Sequence, residues 1–419
     1  MSTHVSDTLL HAPHDPFDVA AVRRDFPALH QMVHDNKPLV WFDNAATTQK
    51  PQCVIDALCR FYTHDNSNIH RAAHALAARA GDGYELAREK VRAFIGAGSA
   101  SEVIFVRGAT EGINLVAQSW GRKNIREGDE IVVSILEHHA NIVPWQMLAW
   151  EKGATLRVIP IDDRGSIIME EYEKLLGPKT RLVAMTHASN GLGTILPVRE
   201  MVAKAHAVGA KVLVDGAQSV SHLPVDVVHL DADFFVFSGH KIFAPTGIGA
   251  LYGKRDLLDA MPPWHGGGNM MRDVRFEETV FNAVPAKFEA GTPSVGDAIA
   301  LGVALDYVSA LGLDAIGQYE QELTRYGTER LGAIPGLRLI GTAPHKVGVL
   351  SFSLSKMARE EVGRVLDHEG IAVRTGHHCT QPSLRLFGVE GTVRPSLAFY
   401  NTREEIDHMA EILARIQQD

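Results

Sequence analysis

Cysteine is scarce. The 419 residues hold three thiols, Cys53, Cys59 and Cys379, which excludes a disulfide framework. Long apolar runs are missing, so a membrane partner is not expected. Positive charge is not in excess: 41 Lys and Arg face 50 Asp and Glu, for a net charge of −9. Nucleic-acid binders are ordinarily basic, so nucleic acid is not an expected partner. The opening MSTHVSDTLLHAPHDPFD has neither a basic n-region nor an apolar h-region. It does not read as a signal peptide, and the expected compartment is cytoplasmic. Repeats and biased tracts are absent, and the adjacent His-His-Cys of 377–379 is not a usual zinc spacing. What remains is a globular composition, 45% hydrophobic and 22% charged, on a chain too long for one ordinary core.

The middle of the chain alternates strands and helices. EVIFVRGAT (102–110) reads as a strand running into a turn, and EGINLVAQSWG as a helix. EIVVSILEHH (130–139), TRLVAMTHASN (180–190), AKVLVDGAQ (210–218) and DFFVFSGHK (233–241) repeat the strand pattern. Helical stretches such as VREMVAKAHAVGA lie between them. Such alternation predicts an α/β fold with a mainly parallel sheet covered on both faces. After about residue 305 the texture changes. Helices (AIGQYEQELTRYGTERLGAI, REEVGRVLDHEG, REEIDHMAEILARIQQ) mix with strand-like KVGVLSFSL, GIAVRTG and VRPSLAFYNT. The expected division is a large domain over 31–304 and a smaller α+β domain made of 1–30 and 305–419. FDVAAVRRDFPALH is expected to pack on the smaller one. HGGGNMM (265–271) reads as a mobile loop, and Cys53 and Cys59, in the helical PQCVIDALCRFY, as packed thiols.

Unusual polar residues fall at the carboxyl ends of the predicted strands: Thr110, His138, Asn190, Asp215, Gln218, Ser238, His240 and Lys241. Open α/β sheets bind ligands at that edge. Lys241 is either a lysine reaching for solvent or an amine of lowered pKa that forms a Schiff base. Pyridoxal phosphate (PLP) needs such a lysine, an acid beside its ring nitrogen and a cup for its phosphate. Asp215 suits the acid, and the Gly108–Ala109–Thr110 turn before a helix suits the cup. His138 is either a ring stacked on the cofactor or a satisfied strand-end histidine. Cys379, in RTGHHCTQP, is a buried small hydrophobe, a metal ligand or a nucleophile.

FDNAATTQKP, NIHRAAH, VRGATEGINLVA, EHHANIVPWQ, VLVDGAQSV, FSGHK, FEAGTP, RTGHHC and VRPSLAFYNT occur in that order across nearly the whole chain. In this the chain resembles the class II, SufS-like cysteine desulfurases of the PLP-dependent class V aminotransferase family. The compact R-x-G-x-x-C around Cys379 is the class II form. The resemblance implies fold type I, with a seven-stranded sheet in the large domain and the cysteine loop in the small one. It makes Lys241 the Schiff-base lysine, Asp215 the partner of the pyridine nitrogen and Gln218 that of the ring hydroxyl. Asn190 lies near ring and substrate, and His138 stacks on the ring. Ala109, Thr110, Ser238 and His240 hold the phosphate, and Thr292 reaches the phosphate of a neighbouring subunit in a homodimer. Arg394 clamps the substrate carboxylate, which suits its planar fork. His70 and Arg374 line the substrate region.

The implied reaction converts L-cysteine to L-alanine and leaves the sulfur on Cys379 as a persulfide. A SufE-like or SufU-like acceptor then takes it toward Fe–S cluster assembly. Attack requires a thiolate, and His377, His378 or Arg374 could favour it. The rivals are a selenocysteine lyase, another PLP lyase of this fold, and a catalytically idle PLP-binding scaffold.

Overall fold

The computed structural model describes residues 17–70 and 73–418. At its centre is a seven-stranded sheet of β1 (Val103–Val106), β2 (Glu130–Ser134), β3 (Thr155–Ile159), β4 (Thr180–Thr186), β5 (Lys211–Asp215), β6 (Phe234–Ser238) and β7 (Gly249–Gly253). The spatial order is β1-β7-β6-β5-β4-β2-β3. Strands β2 to β6 are joined by parallel pairings, and β7 runs antiparallel between β1 and β6. This is the mainly parallel α/β sheet predicted. Its strands are apolar without alternation because both faces are covered, and two apolar clusters form on them. The sequence reading located β1, β2, β4, β5 and β6 but did not single out β3 or β7. The first is a half-exposed edge strand, TLRVI, and the second is the short GALYG. Neither carries a long apolar run.

A second sheet comprises β8 (Leu337–Leu339), β9 (Phe352–Leu354), β10 (Arg374–Gly376) and β11 (Thr392–Arg394), antiparallel in the order β8-β9-β11-β10. Helices Arg359–His368 and Arg403–Gln418 contribute Val362, Leu366, Ile406, Met409 and Leu413 to the apolar cluster beneath it. The strands read over 346–354 and 393–402 shrink to three residues each. Pro395 follows β11 and offers no N–H for a ladder. The helix Val295–Leu311 runs across residue 305, and the chain bends by 74° into helix Leu313–Gly332. Gly312, at φ 84°, makes that bend. Among the described residues no single helix is long and apolar enough to cross a membrane.

Residues 17–44 pack against segments far along the chain. Val40–Trp41 pairs in parallel with Ile371–Ala372, and Asp43 bridges to Ser396. Phe17 stacks on Tyr319 at 5.0 Å, and Arg23 pairs with Glu405 at 2.8 Å. The FDVAAVRRDFPALH segment therefore docks on the C-terminal helices. Residues 1–16, with most of LLHAPHDPFD, lie outside the described residues, as do 71 and 72 of NIHRAAH.

One expectation is overturned: Cys53 and Cys59 are exposed. Helix Gln52–Arg60 buries Val54 and half-buries Leu58. Each cysteine sits one residue, about 100° of rotation, outside that stripe. The glycine-rich 265–271 run leads into a hairpin, Met271–Val274 with Thr279–Phe281. Asn282 fastens its end by donating to the carbonyls of Asn269 and Met271.

Candidate active site

The carboxyl ends of the parallel strands open into a cavity of about 420 Å³. Every expected site residue lines it except Thr292 and His70. At one end helix Ala109–Val116 begins. Its first N–H, on Ala109, donates to Ser238 Oγ at 2.9 Å. The helix start carries unpaired N–H groups and the positive end of the dipole, which suits an anion. A side chain at Gly108 would bring its Cβ within 3.0 Å of Ser238 Oγ, so the turn is as tight as its sequence allows. His240 faces Thr47 Oγ1 at 3.3 Å. Burial, with help from Lys241 and Lys50, pushes its imidazole down to about 4.

Lys241 lies deep in the cavity. Burial pushes its amine down to about 8; Arg394 and Arg374 push the same way, while Asp215 and Cys379 pull back. The amine is thus available as a free base far nearer neutrality than an ordinary lysine. Burial raises the carboxyl of Asp215, against a 2.9 Å bond from the Ala217 N–H and the charge of Lys241. A buried acid in this state gains from any cation placed beside it. His138 accepts from the Ala140 N–H through Nδ1 at 3.0 Å, which puts the proton of the neutral ring on Nε2. Burial, then Lys241, pushes it down to about 3. Gln218 donates to the carbonyl of Ala45 at 2.7 Å, which fixes it against the cavity wall.

At the other end Arg374 and Arg394 enter from β10 and β11. Arg394 is buried, donates to the carbonyl of Asn190 at 2.9 Å, and is pushed down to about 10 by that burial. Its Nε is buried without a hydrogen-bond partner among the described residues, and its Nη2 has only a loose ion pair with Asp43 Oδ1 at 3.5 Å. Such donors are satisfied by a bidentate carboxylate. Cys379 follows β10 with φ 55°, after His378 with φ 53°. The loop is tied to the large sheet. Asn190 donates to the carbonyl of His378 at 2.7 Å, and the His139 N–H donates to that of Cys379 at 2.8 Å. The Cys379 N–H in turn reaches His377 Nδ1 at 3.1 Å. The side chains therefore offer an anion cup, an amine of lowered pKa, a buried acid and a buried guanidinium, with a thiol lining the same cavity. That set fits a phosphate-bearing aldehyde cofactor and an amino-acid carboxylate.

The family described as Aminotransferase class-V matches residues 40–409. The chain belongs to the class-V aminotransferases. It is 63% identical, over 96% of its length, to a protein named cysteine desulfurase from Synechococcus elongatus. It is 53% identical to a cysteine desulfurase of Escherichia coli O127:H6, covering 96% of this chain and 99% of that one. It spans 64% of the length of the Synechococcus relative and 59% of a probable cysteine desulfurase from Mycolicibacterium paratuberculosis. The fold superposes on the Escherichia coli cysteine desulfurase CsdA in its S-sulfonic acid form. The TM-score is 0.89 at 38% identity, over 96% of this chain and 99% of that one. The apo cysteine desulfurase of Thermococcus onnurineus NA1 gives 0.91 at 36%, over 95% and 98%.

In this class-V chain Thr292 and His70 stand apart from the cavity. Thr292 lines a separate hollow with Tyr84 and Trp264, and the His70 ring meets Tyr84 edge-on at 6.2 Å. His378 is corrected as an aid to the thiolate. Its Nε2 lies 2.8 Å from Thr392 Oγ1, and burial pushes it down to about 2, so it carries no positive charge. Lys241, Arg374 and Arg394 line the same cavity as Cys379. Two carboxyls were missed. Asp43 binds Arg374 and stands beside Arg394. Glu137 is fully buried, pushed up to about 8, and bonded by Ser134, Asn141 and the Thr186 N–H. Their only signal was an acid at the end of an apolar stretch, in WFDN and ILEHH.

Proposed function

We propose that this chain is a PLP-dependent cysteine desulfurase of the SufS-like branch. The observation that carries the reading is that Cys379 lines the same cavity as Lys241, Asp215 and the buried guanidinium of Arg394. Lys241 would hold the cofactor aldehyde, Asp215 its ring nitrogen and Gln218 its ring hydroxyl. Neutral His138 would lie on its face. Ala109, Thr110, Ser238 and His240 would hold its phosphate. When bound, that group withdraws electrons from the substrate α-carbon.

The remaining steps belong to the chain. Arg394, with Asn190 and Arg374, binds and orients the carboxylate of L-cysteine. Lys241, once displaced by the substrate amine, moves the α-proton. The Cys379 thiolate attacks the substrate sulfur, an S–S bond forms, and the C–S bond breaks with its electron pair left on carbon. A proton is taken up there and Lys241 returns the α-proton, which completes L-alanine, and Cys379 keeps the extra sulfur as a persulfide. A SufE-like or SufU-like protein is the proposed acceptor, and the cytoplasm the proposed compartment.

The division into 31–304 and 1–30 with 305–419 stays a proposal, as does the homodimer. Thr292 and His70 support the dimer, because both lie near Tyr84 on a surface outside their own cavity, where a second copy would use them. The deciding experiment mixes purified protein with L-cysteine and a reductant and measures alanine. Wild type should form it and Cys379→Ala should not. Equal alanine from both proteins would remove Cys379 as the sulfur acceptor.

A further inference from the structure

Strand β6 ends at Ser238, and the single turn Gly239–Lys241 brings Lys241 to the cavity. So short a turn has few hydrogen bonds of its own, and of poorer geometry than an α-helix makes. Two residues on, Phe243 takes φ 65°, a strained value for a bulky side chain. The backbone that carries the lysine is therefore held from outside.

Residues 44–50 do the holding. The carbonyl of His240, the one just before Lys241, faces four donors. They are the Thr48 N–H at 3.1 Å, Thr47 Oγ1 and Thr48 Oγ1 at 3.2 Å each, and Lys50 Nζ at 3.1 Å. Thr48 Oγ1 also accepts from the Phe243 N–H at 2.9 Å. The far side of the segment is fastened as well. Asn44 donates to the Ser396 carbonyl at 2.7 Å, and the Gln49 N–H donates to Tyr400 Oη at 3.0 Å.

A carbonyl oxygen has two lone pairs, so the four donors share it and the loss of one hydroxyl leaves it satisfied. Lys50 differs from the threonines in two ways. Its ammonium makes charge-assisted bonds, roughly twice as strong as neutral ones. It also joins two carbonyls, those of Thr48 and His240. Burial pushes its amine down to about 8. Both acceptors are neutral, so the position costs desolvation that no ion pair offsets there.

We propose that Lys50 is the positioning residue of Lys241. Its amine clamps the Thr48 and His240 carbonyls together and so fixes the backbone from which the Lys241 amine is aimed. The proposal rests on the reading of Lys241 as the amine that holds PLP, and it is independent of the substrate.

The test is Lys50→Met, which keeps the length of the side chain and removes its donors and charge. Lys346→Met is the control. Burial lowers that amine to about 8 as well, and it donates to the Gly341 carbonyl at 2.8 Å, away from the cavity. Each PLP-loaded protein is titrated with semicarbazide, which competes with Lys241 for the cofactor aldehyde. The readout is loss of the visible absorbance of lysine-bound PLP. A well-aimed internal amine has a high effective concentration, which misplacement lowers. Half-conversion should need about tenfold less semicarbazide in Lys50→Met than in wild type, and the same amount in Lys346→Met. Equal half-conversion in wild type and Lys50→Met overturns the proposal. So does an equal drop in both variants, which marks general loosening. Should Lys50→Met not fold, Lys50→Gln is too short to span both carbonyls and carries the same expectation and the same refutation. A wild type that shows no visible band with PLP defeats the reading of Lys241 itself; a normal band with unchanged half-conversion defeats the positioning role alone.

Discussion

Two buried histidines away from the cofactor cup make a quantitative test of the structure. His187 is 8% exposed and His378 7%. Burial pushes the first down to about 4, and burial with Arg394 and Arg374 pushes the second down to about 2. Each binds fewer protons folded than unfolded, where its pKa is about 6.5. The stability each provides is therefore full above about 6.5 and is lost as pH falls toward the folded value. Between about pH 7.5 and pH 5.5 the loss is RT ln 11 less RT ln 1.1, about 1.3 kcal/mol per residue. The perturbation is His187→Gln, His378→Gln and both together. The assay is urea unfolding at the two pH values, followed by a tertiary signal. Each variant should lose about 1.3 kcal/mol less than wild type on acidification, and the double about 2.6, a sizeable share of a typical total near 10 kcal/mol. Other buried histidines acidify in every protein alike and cancel in the difference. A variant with the wild-type pH slope would show that its histidine is not held neutral, and would refute the reasoning.

Arg88 and Glu289 form a buried pair at 2.6 Å, and Glu289 also accepts from the Phe105 N–H at 2.8 Å. Arg88→Leu strands the carboxylate and should cost about 3–5 kcal/mol in urea unfolding; a loss under about 1 kcal/mol would show that the pair is idle. Lys241→Ala should remove the visible absorbance of lysine-bound PLP from the purified protein. A retained band would assign the cofactor to another amine.

The sequence exposed the parallel sheet and the catalytic edge because both depend on local pattern. Apolar runs ending in Asp215, Asn190 or Lys241 announce strands that feed a site. What it hid depends on distance along the chain. Asp43 gains its meaning only when β10 and β11 bring two arginines to it from the far end. His378 looked like a useful cation in RTGHHC, yet burial against Thr392 makes it neutral. The cysteines of PQCVIDALCRFY were misread because hydrophobic content was weighed without the phase of the helix.

The pairing of segments far apart in sequence sets a timetable for biosynthesis. Asn44 Nδ2 bonds Asn401 Oδ1, 357 positions on, and the Gln49 N–H bonds Tyr400, 351 positions on. At about 5–20 residues per second, the ribosome takes roughly 20–70 s between these partners. The lysine-bearing sheet can assemble during that interval. The arginines and the thiol follow the sheet in the order of synthesis, so they join a cavity whose lysine and helix start are already made.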